Sequence, residues 1–330
     1  METALPVIFF GLLGFAMLTY AILDGYDLGI GMLLPLGTEA EKDQMIASIG
    51  PFWDANETWI VLGVGILLIA FPQAHGRILT ELYLPVTIML FGLILRGVAF
   101  DFRVKAGLDK KDRWDRVFFC GSLIASVCQG WMLGAYITGL QSGPMSLLYS
   151  ALIAVMLPAF YIYLGSTWLL IKTDDALFDK ALKWSRTAIL PMAFALILIS
   201  IATPLVSDSI ADRWFTLPNA IGLMPIPISC GLVFLGMGWL INKPDIIHKG
   251  YEWLPFAGTA VIGVLSAFGL GYSLYPYIVL DELTIFETAS ATSSLQFVLV
   301  GVAITLPMIL AYTIYVYRIF SGKATDLDYS

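Results

Sequence analysis

The sequence predicts an all-α, polytopic integral membrane protein of about nine transmembrane helices, N-terminus outside and C-terminus cytoplasmic. Three observations carry that expectation. Asp, Glu, Lys and Arg make up 13% of the 330 residues, against roughly 25% in an average soluble domain. The apolar set reaches 58%, and the mean hydropathy is +0.83. Fifteen of the eighteen Lys and Arg fall on one side of the span pattern. A soluble chain so poor in charge could not cover its surface. The formal net charge of −7 excludes nucleic acid as a main partner, because few cations are present to neutralise a phosphate backbone.

A span needs about 20 mostly apolar residues. Nine runs qualify: roughly 5–23 (continuing as helix to about 35), 52–72, 79–102, 116–139, 146–171, 187–206, 221–242, 255–278 and 296–320. The start, Met1-Glu2-Thr3-Ala4-Leu5, lacks the basic region of a cleavable signal, so the first run is expected to be a true span. Odd-numbered loops and the C-terminal tail hold Lys42, Arg103, Lys105, Lys110, Lys111, Arg113, Arg116, Lys172, Lys180, Lys183, Arg186, Lys243, Lys249, Arg318 and Lys323. Even-numbered loops hold Arg77 and Arg213, and Arg96 lies inside a span. Positive charge marks the cytoplasmic side, which sets the orientation. The loops are short, so residues 1–330 are expected to form a single integral membrane domain.

Ionisable side chains at membrane depth are costly and mark function by default. Asp24 and Asp27, in the run Asp24 to Gly31, are three apart and share a helix face. Gly25 and Gly29 form a small-xxx-small pair that lets another helix approach. The run is either a helix end entering the cytoplasmic interface or a packed polar seam. Asp54 and Glu57, in Phe52 to Trp59, also share a face, with Thr58 beside Asp54. Acids suit a helix start after Pro51, yet this face opens to the cytoplasm, as a proton entrance requires. Arg96 lies about two turns inside its span and needs a partner. Asp101 ends the same run, and Arg103 and Lys105 fit snorkelling cations. Gln129 is placed either for a hydrogen bond across helices or for plain packing, and Glu81 for capping at the outer interface.

Metal and haem chemistry find little here. The two histidines, His75 and His248, fall in opposite-side loops, whereas a b-type haem needs buried axial His. No metal-ligand spacing, phosphate loop or nucleophile motif is present. Cys120, Cys128 and Cys230 lie in apolar stretches without pairing motifs and are expected to be buried free thiols. Redox chemistry would have to sit in a partner.

At these residues the chain resembles a known family. Asp24-Gly25-Tyr26-Asp27-Leu28-Gly29, Trp53-Asp54-Ala55-Asn56-Glu57-Thr58-Trp59, Arg96-Gly97-Val98-Ala99-Phe100-Asp101-Phe102-Arg103, and Trp114-Asp115 followed by Gly121-Ser122 are similar to subunit II of the cytochrome bd quinol oxidases, including the cyanide-insensitive branch. The motifs lie in the first ~140 residues; beyond them the match is in span pattern. The resemblance implies a terminal oxidase of the bacterial cytoplasmic (inner) membrane that oxidises quinol, reduces O2 to water and builds a membrane potential without pumping. It implies haem b and haem d ligated mainly by subunit I, with this chain as a nine-helix partner. It also implies a small single-span third subunit in some members and a structural quinone in part of the family. Carried over, Asp54 and Asp101 stand on a proton path from the cytoplasm, with Lys105 near its mouth. Some members carry Gln where Glu57 stands and Pro where Gly97 stands. The competing expectations are a proton-coupled secondary transporter, which an inverted repeat would favour, and a scaffold that only stabilises a catalytic partner.

Overall fold

The computed structural model describes residues 4–324, apart from the side chains of Leu108 and Asp109. It is built from helices α1 (Ala4–Leu33), α2 (Glu39–Ile49), α3 (Trp53–Ala70), α4 (Pro72–Lys105), α5 (Leu108–Ile137), α6 (Pro144–Lys172), α7 (Asp175–Val206), α8 (Asp208–Phe215), α9 (Asn219–Leu223), α10 (Pro225–Ile241), α11 (Pro244–Ile246), α12 (Leu254–Leu274) and α13 (Thr292–Ile319). Among the described residues nine helical segments are long and apolar enough to cross a membrane. They fall on the nine expected runs, four of them starting a turn or more earlier, at Pro72, Lys110, Asp175 and Thr292. Proline opens α4, α6 and α10, where its missing N–H costs nothing. Pro85, Pro158, Pro191, Pro204 and Pro307 sit inside helices, as membrane helices tolerate.

Helix α1 lies at the centre, packed against α3, α5 and α6, while α4 to α7 follow one another as neighbours. Glycines set the closest approaches. A Cβ on Gly25 would stand 2.7 Å from Tyr161 of α6, and one on Gly165 2.6 Å from the Gly29 backbone. A Cβ on Gly121 of α5 would stand 2.6 Å from the Gly92 carbonyl of α4. Such contacts replace the hydrophobic drive that lipid removes.

The two ends of the bundle differ. At one end Leu5, Phe9, Phe71, Ile78 and Leu82 pack with Ile278, Val279 and Ile285. At the other, Leu34, Met45, Phe52, Phe118, Trp168 and Phe178 form the larger core. Helix α2 caps that second end; its start is closed by a reciprocal pair in which Thr38 N–H donates to Glu41 Oε2 at 2.6 Å and Glu41 N–H to Thr38 Oγ1 at 3.5 Å. The described chain starts at the first end and finishes at the second, where Lys323 reaches Thr173.

Three expectations need correction. Residues 277–278 belong to a small antiparallel hairpin, β1 (Tyr277–Val279) with β2 (Leu283–Thr284), not to the eighth span. His75 lies in the first turn of α4 rather than in a loop. Cys120 is exposed, while Cys128 is buried and Cys230 half-buried.

Candidate functional site

The interior of the α2-end half holds an ion cluster from three helices. Arg96 of α4 donates from Nη1 to Asp24 Oδ1 of α1 at 2.5 Å and from Nη2 to Glu57 Oε2 of α3 at 2.9 Å. Arg96 and Asp24 are buried, and the Glu57 side chain is 29% exposed. Asp27, one turn along α1, is buried beside Asn56, whose Nδ2 donates to Asp27 Oδ2 at 2.8 Å. Thus the expected seam of Asp24, Asp27, Glu57 and Arg96 is one packed unit, and the reading of Asp24 and Asp27 as an interfacial helix end fails. Two carboxylates share one guanidinium, and the third, Asp27, is held by Asn56. A buried charge is strongly unfavourable unless it is paired, and Arg96 supplies that pairing for Asp24 and Glu57.

Toward the middle of the bundle Gln129 of α5 donates from Nε2 to the Tyr20 hydroxyl and accepts from the Tyr161 hydroxyl, both at 2.7 Å. The cross-helix option for Gln129 is the one realised. Glu81 pairs with Arg77, which also donates from Nε to Glu282 at 2.6 Å, so it ties α4 to the hairpin rather than capping a helix.

Asp54, Asp101 and Lys105 lie apart from this cluster. All three are exposed at the α2 end, and none makes a hydrogen bond or ion pair among the described residues. Asp54 is one turn before Glu57 on α3. Thr58 does not face Asp54 as a donor; its hydroxyl bonds the Ala55 carbonyl at 2.7 Å. Asn56 turns inward to Asp27.

A second network was not visible as such. Arg103 is not a snorkelling cation: its side chain is buried, paired with Asp115 of α5 and donating to Asp43 of α2 at 2.6 Å. Lys111 Nζ stands 3.0 Å from Asp43. Lys42 Nζ lies 2.7 Å from Glu39, 3.2 Å from Asp115 and 3.8 Å from Asp112, so a lysine ammonium already fills the position where these three carboxylates could gather around a cation. The only advance signal was Asp115 within the Trp114-Asp115 motif. Lys105, by contrast, is exposed as snorkelling requires.

Burial opposes ionisation of Asp43, but Arg103 and Lys111 overcome it and hold the carboxyl below its usual range. A carboxylate with a lowered value stabilises the fold above its unfolded value of about 4 and loses that contribution as pH falls through the folded value. The thermal midpoint of Asp43→Asn is therefore expected to lie below that of the parent at neutral pH. The gap should close as the pH drops below about 4; a constant gap from neutral to acid pH would count against this ion pair.

Axial ligation of a haem needs buried histidines. His75 is half-buried in the first turn of α4. His248 is exposed and lies over Phe178 at 4.5 Å, at the other end of the bundle. The described residues do not fit a haem held by axial histidines inside this chain.

The sequence profile of "Cytochrome bd terminal oxidase subunit II" matches residues 5–320. The chain belongs to the cytochrome bd subunit II family. A cytochrome bd ubiquinol oxidase subunit 2 of Bacillus subtilis (strain 168) is 27% identical over 328 residues, covering 94% of each chain. The cytochrome bd-I ubiquinol oxidase subunit 2 of Escherichia coli (strain K12) is 33% identical over 131 residues, 39% of this chain and 35% of that one. The bd oxidase from Geobacillus thermodenitrificans superposes with a TM-score of 0.77 at 17% identity, covering 96% and 98% of the two chains. As a cytochrome bd subunit II, this multi-pass membrane protein is part of a terminal oxidase with haem cofactors in the complex and a subunit I partner. The transporter expectation is not favoured.

Proposed function

We propose that this chain works with a haem-bearing subunit I in the bacterial inner membrane, supporting quinol oxidation coupled to the four-electron reduction of O2 to water. Two quinols release four electrons and four protons outside; four protons taken from the cytoplasm complete two waters, so charge separates across the membrane. The haems, two of b type and one of d type, belong to subunit I and supply the electron transfer. Support for that division comes from the histidines, neither of which lies buried in the interior of this subunit. Residues 1–330 act as one integral membrane domain, with the α2 end cytoplasmic, in line with its concentration of Lys and Arg. A small single-span third subunit and a structural quinone complete the complex as in part of the family.

This chain's share is proton uptake at Asp54 and Asp101, with Lys105 at the mouth. The observation that carries this is the contrast between Asp54 and Glu57. A relay group must take up and release protons, and Asp54 is exposed with no cation fixed to it among the described residues. Glu57, one turn deeper, is tied to Arg96 at 2.9 Å and serves the cluster instead. A relay carboxylate replaced by an amide loses its proton capacity while keeping its shape. Asp54→Asn in the assembled complex is expected to lower O2 consumption at least about tenfold, with the haem spectrum unchanged. Full turnover with intact haems would remove Asp54 from the path and favour the scaffold role.

A further inference from the structure

A closed ring of hydrogen bonds lies beside Asp27, away from the uptake residues. Asn56 Nδ2 donates to Asp27 Oδ2 and to the Tyr26 hydroxyl, each at 2.8 Å, and also lies 3.4 Å from the Leu23 carbonyl. The Tyr317 hydroxyl of α13 donates to Asn56 Oδ1 at 3.0 Å. The Tyr26 and Tyr317 hydroxyls are 2.7 Å apart. Proton counting sets the remaining direction. Both Asn56 N–H groups are used and the single Tyr317 proton points at Oδ1, so Tyr26 donates to Tyr317. Asp27 Oδ1 has no partner among the described residues. The Asn56 N–H is therefore the one side-chain donor that reaches the Asp27 carboxyl group among the described residues.

That arrangement depends on which way the amide faces. Turned over, Asn56 would present Oδ1 to Asp27, lone pair against lone pair, and only a protonated Asp27 could answer it with an O–H donor. Tyr317 opposes the turn by donating to Oδ1 where it stands. Helix α13 is otherwise lightly held, with Leu295 and Val316 its buried residues. The segment just after it is tied down firmly. Lys172, buried against the Phe52 and Trp168 rings at 5.0 and 5.3 Å, donates to the Phe320 carbonyl and, at 3.1 Å, to the Gly322 carbonyl. Lys323 Nζ donates to the Thr173 carbonyl at 3.0 Å and to Glu252 at 2.9 Å, and the Ala324 N–H donates to the Lys172 carbonyl at 2.7 Å. Tyr317 is one turn from this strap.

We propose that Tyr317 is a positioning residue, seated by the C-terminal strap, which holds the Asn56 amide so that its N–H faces the Asp27 carboxylate. The ionisable groups facing Asp27 are Asp24 and Tyr26 from α1, Glu57 from α3, Arg96 from α4 and Tyr317 from α13. Of these, Tyr26 and Tyr317 both touch Asn56, but Tyr317 is the one that donates to Oδ1, and it carries no charge that its loss would remove. The proposal stands apart from the Asp54 route.

The test is infrared spectroscopy of the purified complex with subunit I, at one fixed pH and without turnover. The carbonyl-stretch band of protonated carboxyl groups is compared in the parent, Tyr317→Phe, and Tyr317→Phe combined with Asp27→Asn. The expected result is a band that grows in Tyr317→Phe and disappears in the double variant. Loss of an oriented donor to a charged group moves the ratio of ionised to protonated Asp27 by roughly tenfold. Lys323→Ala, at a half-buried position on the strap, is expected to give a smaller change of the same sign, and it decides the matter if Tyr317→Phe does not assemble. An unchanged band in whichever variant assembles overturns the proposal. Failure of the Asp54 prediction leaves this result untouched, because no catalytic rate is read.

Discussion

Arg96→Met is expected to prevent accumulation of the assembled complex. The substitution leaves Asp24, fully buried, and Glu57, mostly buried, without the guanidinium that holds both. Removing one partner of a buried ion pair costs about 3–5 kcal/mol, a large share of a total stability of about 5–15 kcal/mol. Here two carboxylates lose the same partner, so the penalty lies toward the upper end. Arg96→Lys is expected to recover only part of the yield, because one ammonium cannot present a planar fork to two carboxylates. Adding Asp24→Asn and Glu57→Gln to Arg96→Met removes the uncompensated charge and should restore assembly further than lysine does. Haem absorbance of the complex after mild solubilisation, per unit of membrane, reads all three. Parent-level yield from Arg96→Met would mean that the cluster does not support the fold.

The need for that cluster was legible in the chain, but its composition was not. Arg96 inside an apolar run demanded a partner. Nothing in the order of residues said that the partner would be Asp24, 72 positions earlier, or that Asn56 would turn inward while Asp54 stayed outside. The glycine spacing of Gly25 and Gly29 foretold a close helix neighbour, and α6 is that neighbour. Arg103 misled, because a cation in the last turn of an apolar helix has the same local pattern whether it reaches water or a buried carboxylate. Only the fold-back of α2 over α4 and α5, which brings Asp43 and Lys42 to Arg103 and Asp115, distinguishes the two. The hairpin was lost for a related reason. Tyr277 to Leu280 is apolar, and hydropathy averages cannot tell a continuing helix from a short strand; Pro276 was the available stop signal. Tyr317 gave no signal at all. A tyrosine near the end of the last span fits an interfacial aromatic belt, and its role follows from contacts 261 residues away.

The second large effect concerns two glycines on the same helix. Gly11→Ala and Gly29→Ala make the same chemical change in α1, yet opposite outcomes are expected. Around Gly11 the described chain leaves open space for a Cβ, so alanine only restricts the unfolded backbone and stabilises by about 0.4–1 kcal/mol. At Gly29 a Cβ would overlap the Tyr161 carbonyl and stand 3.0 Å from the Gly165 nitrogen. These are backbone atoms, which cannot rotate aside as a side chain does, so α1 and α6 must separate. Separation strips packing from the whole seam, including the neighbours of Asp24 and Asp27, and exceeds the usual overpacking cost of about 1–3 kcal/mol. Leucine at position 29 should then abolish assembly where leucine at position 11 does not. The thermal midpoint of the complex for the two alanine variants decides the matter. Equal midpoints would show that the approach of α1 to α6 is not set by glycine, and that the interior cluster is held together by its ion pairs rather than by the backbone contact beneath them.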